Sequence, residues 1–305
     1  MLVELEGRKA AQARQTEQTG SEGEETDETN ETAALTADEA KVARFYAAAM
    51  DEKTIDGVGI APLRPLLDLC AATADAAANA NDGGGDDDNN DTTSSTALAT
   101  SLGHLLSQFG MAAFFAIGSS PDNTHSDHTL CQVYQGGLGL PDRDYYFDAD
   151  KADQRIKYKK HVALMLTLLE DGTATEPTQD NVMAAESIYE LEAKLAEAHM
   201  TKTENRDPDA TYNPMTVAEL TDRCRGGGGG DSDAGGGGAC GGGNFDFAAY
   251  FAAATGWAKA AEDLGKINVR NTKAIEKMVE VVTTADKEVL HQYLRWHAVN
   301  KFAAI

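Results

Sequence analysis

Basic residues are scarce in this sequence. Lysine and arginine number 26 against 50 aspartates and glutamates, a net charge of −24 over 305 residues. A nucleic-acid binder presents a basic face to neutralise phosphates, so this balance argues against that class. It argues equally against docking on an anionic membrane surface. Cysteine is scarce too: four residues cannot make a dense disulfide framework. Long apolar runs are missing. Runs such as Met111–Ile117 fall far short of the roughly 20 residues that span a bilayer. Met1–Arg14 lacks the apolar core of a signal peptide, so neither a leader nor a span is expected. Several chemical motifs are also missing. There is no H-E-x-x-H for zinc, no G-x-S-x-G nucleophile turn, no Walker phosphate loop and no C-x-x-C pair.

Three stretches are of low complexity. Residues 1–35 read as an acidic disordered tail, because 15–35 holds almost no apolar side chain to offset its ordering entropy. Residues 71–97 centre on Gly83–Gly85 and Asp86–Asp88 and read as a solvated insertion. The acidic run there lacks the spacing of a calcium-binding loop. Residues 225–243 contain three glycine runs and read as flexible tether.

What remains has helical periodicity. Thr36 and Glu39 form a capping box ahead of a stripe at Val42, Phe45, Tyr46 and Ala49. The i, i+3, i+4, i+7 spacing recurs at Leu63, Leu66, Leu67 and Cys70, and again at Leu102, Leu105, Leu106 and Phe109. Further stripes are Tyr158, Val162, Met165 and Leu169, then Ile188, Leu191, Leu195 and Ala198 on a helix expected over 182–203. Thr216 and Glu219 make a second capping box, and Val289, Leu290, Tyr293, Leu294 and His297 line a last helix. Strand signals are few, with Lys266–Arg270 the best of them. The expected fold is mainly α, a multi-helical array over 36–305 broken by disordered acidic and glycine-rich insertions.

Candidate metal sites are thin. His125, His128 and Cys131 could form a small cluster, but at that spacing only neighbouring pairs share a helix face. A polar loop leading into a helix is the expected reading. His291 and His297 lie about 240° apart on a helix and cannot chelate together. His297 sits on an apolar stripe and reads as a hydrogen-bonded core residue. Cys224 and Cys240 lie 16 residues apart across a glycine run and could form an incidental disulfide. No catalytic or metal-binding residue is assigned, and substrate-binding residues are unknown.

One segment is more specific: Gln135-Gly-Gly-Leu-Gly-Leu-Pro-Asp-Arg-Asp-Tyr-Tyr-Phe147. Leu138 and Leu140 alternate as anchors, Pro141 fixes φ, and Asp142, Arg143 and Asp144 turn the chain before Tyr145 and Tyr146. This string resembles the Q-x-G-L-x-L-P-D-R-D-Y-Y signature in the N-terminal region of the neprilysin and endothelin-converting-enzyme family of zinc metallopeptidases. Phe45-Tyr46 with Met50-Asp51 and Ile55-Asp56 also resembles the family, as do Glu186–Ala196, Arg206–Thr216 with Leu220, and Tyr293–Trp296. The resemblance covers roughly 40–70, 100–225 and 244–305. It implies a helical lobe that caps a catalytic lobe and admits short peptides to the chamber between them. The family's H-E-x-x-H, its third zinc ligand and its N-A-x-Y strand have no matching positions here. Nor does the family's D-F-Y-x-Y opening, and Ala49 stands where many animal members have cysteine. The nine signature residues, Gln135 and Leu138 to Tyr146 without Gly139, are therefore carried over as structural only. Zinc is expected only in the catalytic domain absent from this chain. The expected partners are that lobe and short peptides. The alternative is a non-catalytic helical binding or scaffold protein derived from the family. Members are often secreted or membrane-anchored, and neither signal is legible here, so location stays unassigned.

Overall fold

The computed structural model describes residues 36–81, 88–225 and 244–302. The chain divides into two units, Met1–Pro62 and Leu63–Ile305. In the first, Thr36 caps α1 (Ala37–Ala49): its hydroxyl accepts from the Glu39 amide and the Glu39 carboxylate accepts from the Thr36 amide. Asp51 caps α2 (Glu52–Val58) by accepting from the Thr54 amide. The α1 stripe expected to be buried is not: Val42 is 44% and Phe45 79% exposed, while Ala43 is buried. Met50, Ile55 and Val58 are also exposed.

The second unit carries the core. In chain order its main elements are α3 (Arg64–Asn81), α4 (Asp88–Phe109), β1 (Phe115–Pro121), β2 (Thr129–Gln135), α5 (Asp144–Phe147), α6 (Ala152–Glu170), α7 (Gln179–Glu197), β3 (Pro214–Thr216), α8 (Val217–Cys224), α9 (Phe247–Thr255), α10 (Ala260–Asp263), β4 (Lys266–Val269), α11 (Thr272–Thr284) and α12 (Lys287–Phe302). The protein is mainly helical, with one small sheet. The core packs apolar stripes from α3, α4, α6, α7, α9, α11 and α12 around Trp296, Tyr293, Phe247 and Phe251, all essentially inaccessible.

The sheet runs β1–β2–β4–β3. β1 and β2 form an antiparallel hairpin, β2 and β4 pair in parallel, and β3 and β4 pair antiparallel. Asn268 on β4 ties it together, donating to the Gln132 side chain and the Thr211 carbonyl while accepting from the Asn213 amide.

Three local expectations change. The insertion expected over 71–97 is helical wherever it is described: α3 runs to Asn81 and α4 begins at Asp88. Alanine is the best helix former, and Ala74 and Ala77 are buried. Further on, Ser95 donates to the Asn244 carbonyl and Thr96 to the Asp246 carboxylate, so the polar residues have partners across the fold. The long helix is Gln179–Glu197, capped by Thr178, and leaves the helical path before 203. Gln135 explains the stop: its side chain accepts from the Met200 amide and donates to the Met200 carbonyl. Third, His125–His128 forms the tip of the β1–β2 hairpin and leads into a strand, not a helix. The acidic tail at 1–35 and the glycine runs within 226–243 lie outside the described residues, as does Cys240.

Candidate functional site

The signature segment starts where β2 ends. The Gln135 side chain holds the loop after α7 through Met200 and also accepts from Asn271 at 2.7 Å. Gly136 and Gly137 then pass close to other backbone. Gly137 has φ +85°, and a Cβ there would lie 2.8 Å from the Tyr293 hydroxyl and 3.2 Å from the Ala113 carbonyl. Only glycine avoids both the left-handed strain and the crowding. A Cβ at Gly139 would overlap the Tyr158 hydroxyl outright. Leu138 and Leu140 are partly buried against the core, and Pro141 is exposed.

The turn is closed by its own acids. The Asp142 carboxylate accepts from the Asp144 amide at 2.9 Å and pairs with Lys202 at 2.8 Å. Asp144 opens the single helical turn of α5. Arg143 stacks over the Phe147 ring, and the Tyr145 carbonyl accepts from Arg155. Tyr146 points inward. Its hydroxyl accepts from the Leu140 amide at 3.1 Å and donates to Glu192 at 2.9 Å.

Glu192, on α7, is the hub. It is completely buried. Tyr146 donates to one carboxylate oxygen, His297 Nε2 to the other at 3.1 Å, and the Tyr158 hydroxyl lies 2.7–2.8 Å from both. Trp296 Nε1 donates to Tyr158 at 2.8 Å. Burial, then the Glu192 charge, pushes the Tyr146 and Tyr158 hydroxyls far above the phenol range, so both remain donors. Burial does the same to Tyr293, which donates to the Ala113 and Gly137 carbonyls. A buried carboxylate is tolerated when its lone pairs are filled this way. The network joins α5, α6, α7 and α12 through one residue. His297 is thus the hydrogen-bonded core histidine its stripe suggests.

Sequence reasoning missed the hub. The available signal was Glu192 itself: it occupies the i+4 position of the Ile188, Leu191, Leu195 stripe, a charge on an apolar face. A second histidine was also unassigned. His199 Nε2 donates to the Gly136 carbonyl at 3.1 Å, and burial lowers its pKa to about 4. It lines a cavity of about 320 Å³ with Leu140, Asp142 and Met200.

Among the described residues no three histidine, cysteine or acidic side chains form a group that could hold a metal ion. His125 faces Asp122, and His128 lies beside Asp127. No described helix is long and apolar enough to cross a membrane.

The family model for the N-terminal part of peptidase family M13 matches residues 9–305. Endothelin-converting enzyme 1 of Cavia porcellus is 23% identical over 281 residues, covering 88% of this chain and 31% of that protein. The Rattus norvegicus enzyme is 26% identical over 271 residues, with the same coverage. The chain thus spans about a third of these relatives' length. Among solved structures, the zinc metalloprotease Zmp1 of Mycobacterium tuberculosis in its open state superposes with a TM-score of 0.63 at 25% identity, covering 98% of this chain and 38% of that one. PepO from Lactobacillus rhamnosis shares the fold at 14% identity, with a TM-score of 0.52. Signature turn, helical array and family match agree: this chain belongs to peptidase family M13, the neprilysin and endothelin-converting-enzyme family, and corresponds to its N-terminal domain.

Proposed function

We propose that this chain is the non-catalytic capping lobe of a neprilysin-like zinc metalloendopeptidase. In this reading it closes over a lobe that carries H-E-x-x-H and zinc. The enclosed chamber takes short peptides and excludes folded proteins. The chain's own contribution is steric selection and exclusion of water from the reacting site, not bond cleavage. Zinc, when bound in the partner lobe, supplies the activated water and the Lewis acid.

The observation that carries this reading is the reach of the family match. It runs from residue 9 to residue 305 yet takes up only about a third of the matched enzymes. The signature turn supports it. Its Tyr146 and the Glu192 hub tie α5, α6, α7 and α12 to one another, as a rigid cap requires. Sequencing the native transcript beyond codon 305 tests the reading. The expected outcome is an open frame that reaches H-E-x-x-H. A frame that closes with no such motif, and no separate chain supplying it, favours the scaffold alternative.

A further inference from the structure

Two cavities of about 470 Å³ each lie along α7, where α11 and α12 flank it. They meet at Ser187 and Val289, so they form one continuous groove. The apolar part of its floor is Ala184 and Val289, both partly buried, and the exposed Met183, with Leu191 and Val281 buried beneath. Its walls carry seven carboxylates and two lysines. One lysine, Lys277, is already held by Glu280 and Glu197. Among the described residues, Asp180 and Glu190 have no side-chain hydrogen bond or ion pair, and both are exposed. The groove therefore presents unneutralised negative charge over an apolar floor. From Asp180 to Glu197 it follows about 25 Å of α7, at about 1.5 Å per residue. An extended peptide of about eight residues spans that length at about 3.3 Å each.

We propose that this groove docks a short cationic peptide in which basic and aliphatic side chains alternate. Alternation places aliphatic side chains on the floor, and the long basic ones on the opposite face bend over the rim to the wall carboxylates. Each exposed ion pair alone is weak and screened by salt. Several around an apolar floor give binding that persists at physiological ionic strength. The acidic protein as a whole attracts any cation, so the test must separate groove from global charge.

The probe is a fluorescein-labelled octapeptide of alternating lysine and leucine, titrated with the 305-residue chain and followed by anisotropy in about 0.15 M salt, where the Debye length is about 8 Å. Saturable 1:1 binding is expected. The groove variant D180N/E190Q/E288Q is expected to weaken it at least tenfold. The control D68N/D222N/E262Q removes the same charge elsewhere and is expected to change it less than twofold. A lysine–serine peptide is expected to bind at least tenfold more weakly than lysine–leucine. Equal losses in the two variants, equal binding of the two peptides, or no saturation overturns the proposal. Sedimentation shows whether a second copy fills the groove: self-association abolished by the groove variant overturns it too. If that variant misfolds, hydrogen exchange on the parent chain decides. Peptide-induced protection over 180–197 supports the site, and protection only elsewhere refutes it.

Discussion

Replacing Glu192 with alanine leaves Tyr146, Tyr158 and His297 without their shared acceptor around a fully buried position. A buried donor stripped of its partner costs about 1–3 kcal/mol. Tyr146 still has the Leu140 amide and Tyr158 the Trp296 indole, but both of those contacts use the hydroxyl as acceptor. Their protons stay orphaned. With part of the loss recovered by relaxation and by no longer burying a charge, a net cost on the order of 3–6 kcal/mol is expected, a large share of the 5–15 kcal/mol typical of a domain. Glutamine keeps the volume and one acceptor, so Glu192→Gln should cost about 1–3 kcal/mol. Urea unfolding followed by tryptophan fluorescence reads this well, because Trp296 is buried beside Tyr158. A Glu192→Ala chain within about 1 kcal/mol of the parent refutes the hub.

Two further outcomes follow from the same neighbourhood. Gly139→Ala forces a methyl group into the Tyr158 hydroxyl, and should destabilise by about 3 kcal/mol or more in the same urea assay; Gly172→Ala, in open space, is the neutral control. His199 has a folded-state pKa of about 4 against an unfolded value near 6.5. The unfolded chain therefore binds the extra proton in that window, and stability falls as pH drops from about 6.5 to about 4, by up to about 3 kcal/mol. His199→Gln should flatten this part of the stability–pH curve, and an unchanged slope contradicts the assignment.

What was legible in the sequence was local. Both capping boxes, Thr36 with Glu39 and Thr216 with Glu219, are three-residue relations and stand where expected. The stripes of α3, α4, α6, α7 and α12 are buried or partly buried against the core, because an amphipathic period needs only one helix to be read. Pairings across the chain were not legible. β2 joins β4 in parallel through Cys131 and Ile267, two short segments with no local cue to each other. Glu192 meets residues 34 to 105 positions away, so no spacing rule links them. The low-complexity reading of 71–97 weighed glycine and aspartate in its middle over the helix propensity of its alanine-rich start. The α1 stripe failed differently: its period is helical, but Val42 and Phe45 are exposed. Periodicity identifies a helix face and says nothing of whether a partner covers it.

The central claim is that these helices cap chemistry carried elsewhere. Its most direct test is metal analysis of the purified 305-residue chain together with hydrolysis of a fluorogenic short peptide. No stoichiometric zinc and no turnover are expected. Peptide cleavage by the pure chain that a chelator abolishes would contradict the account.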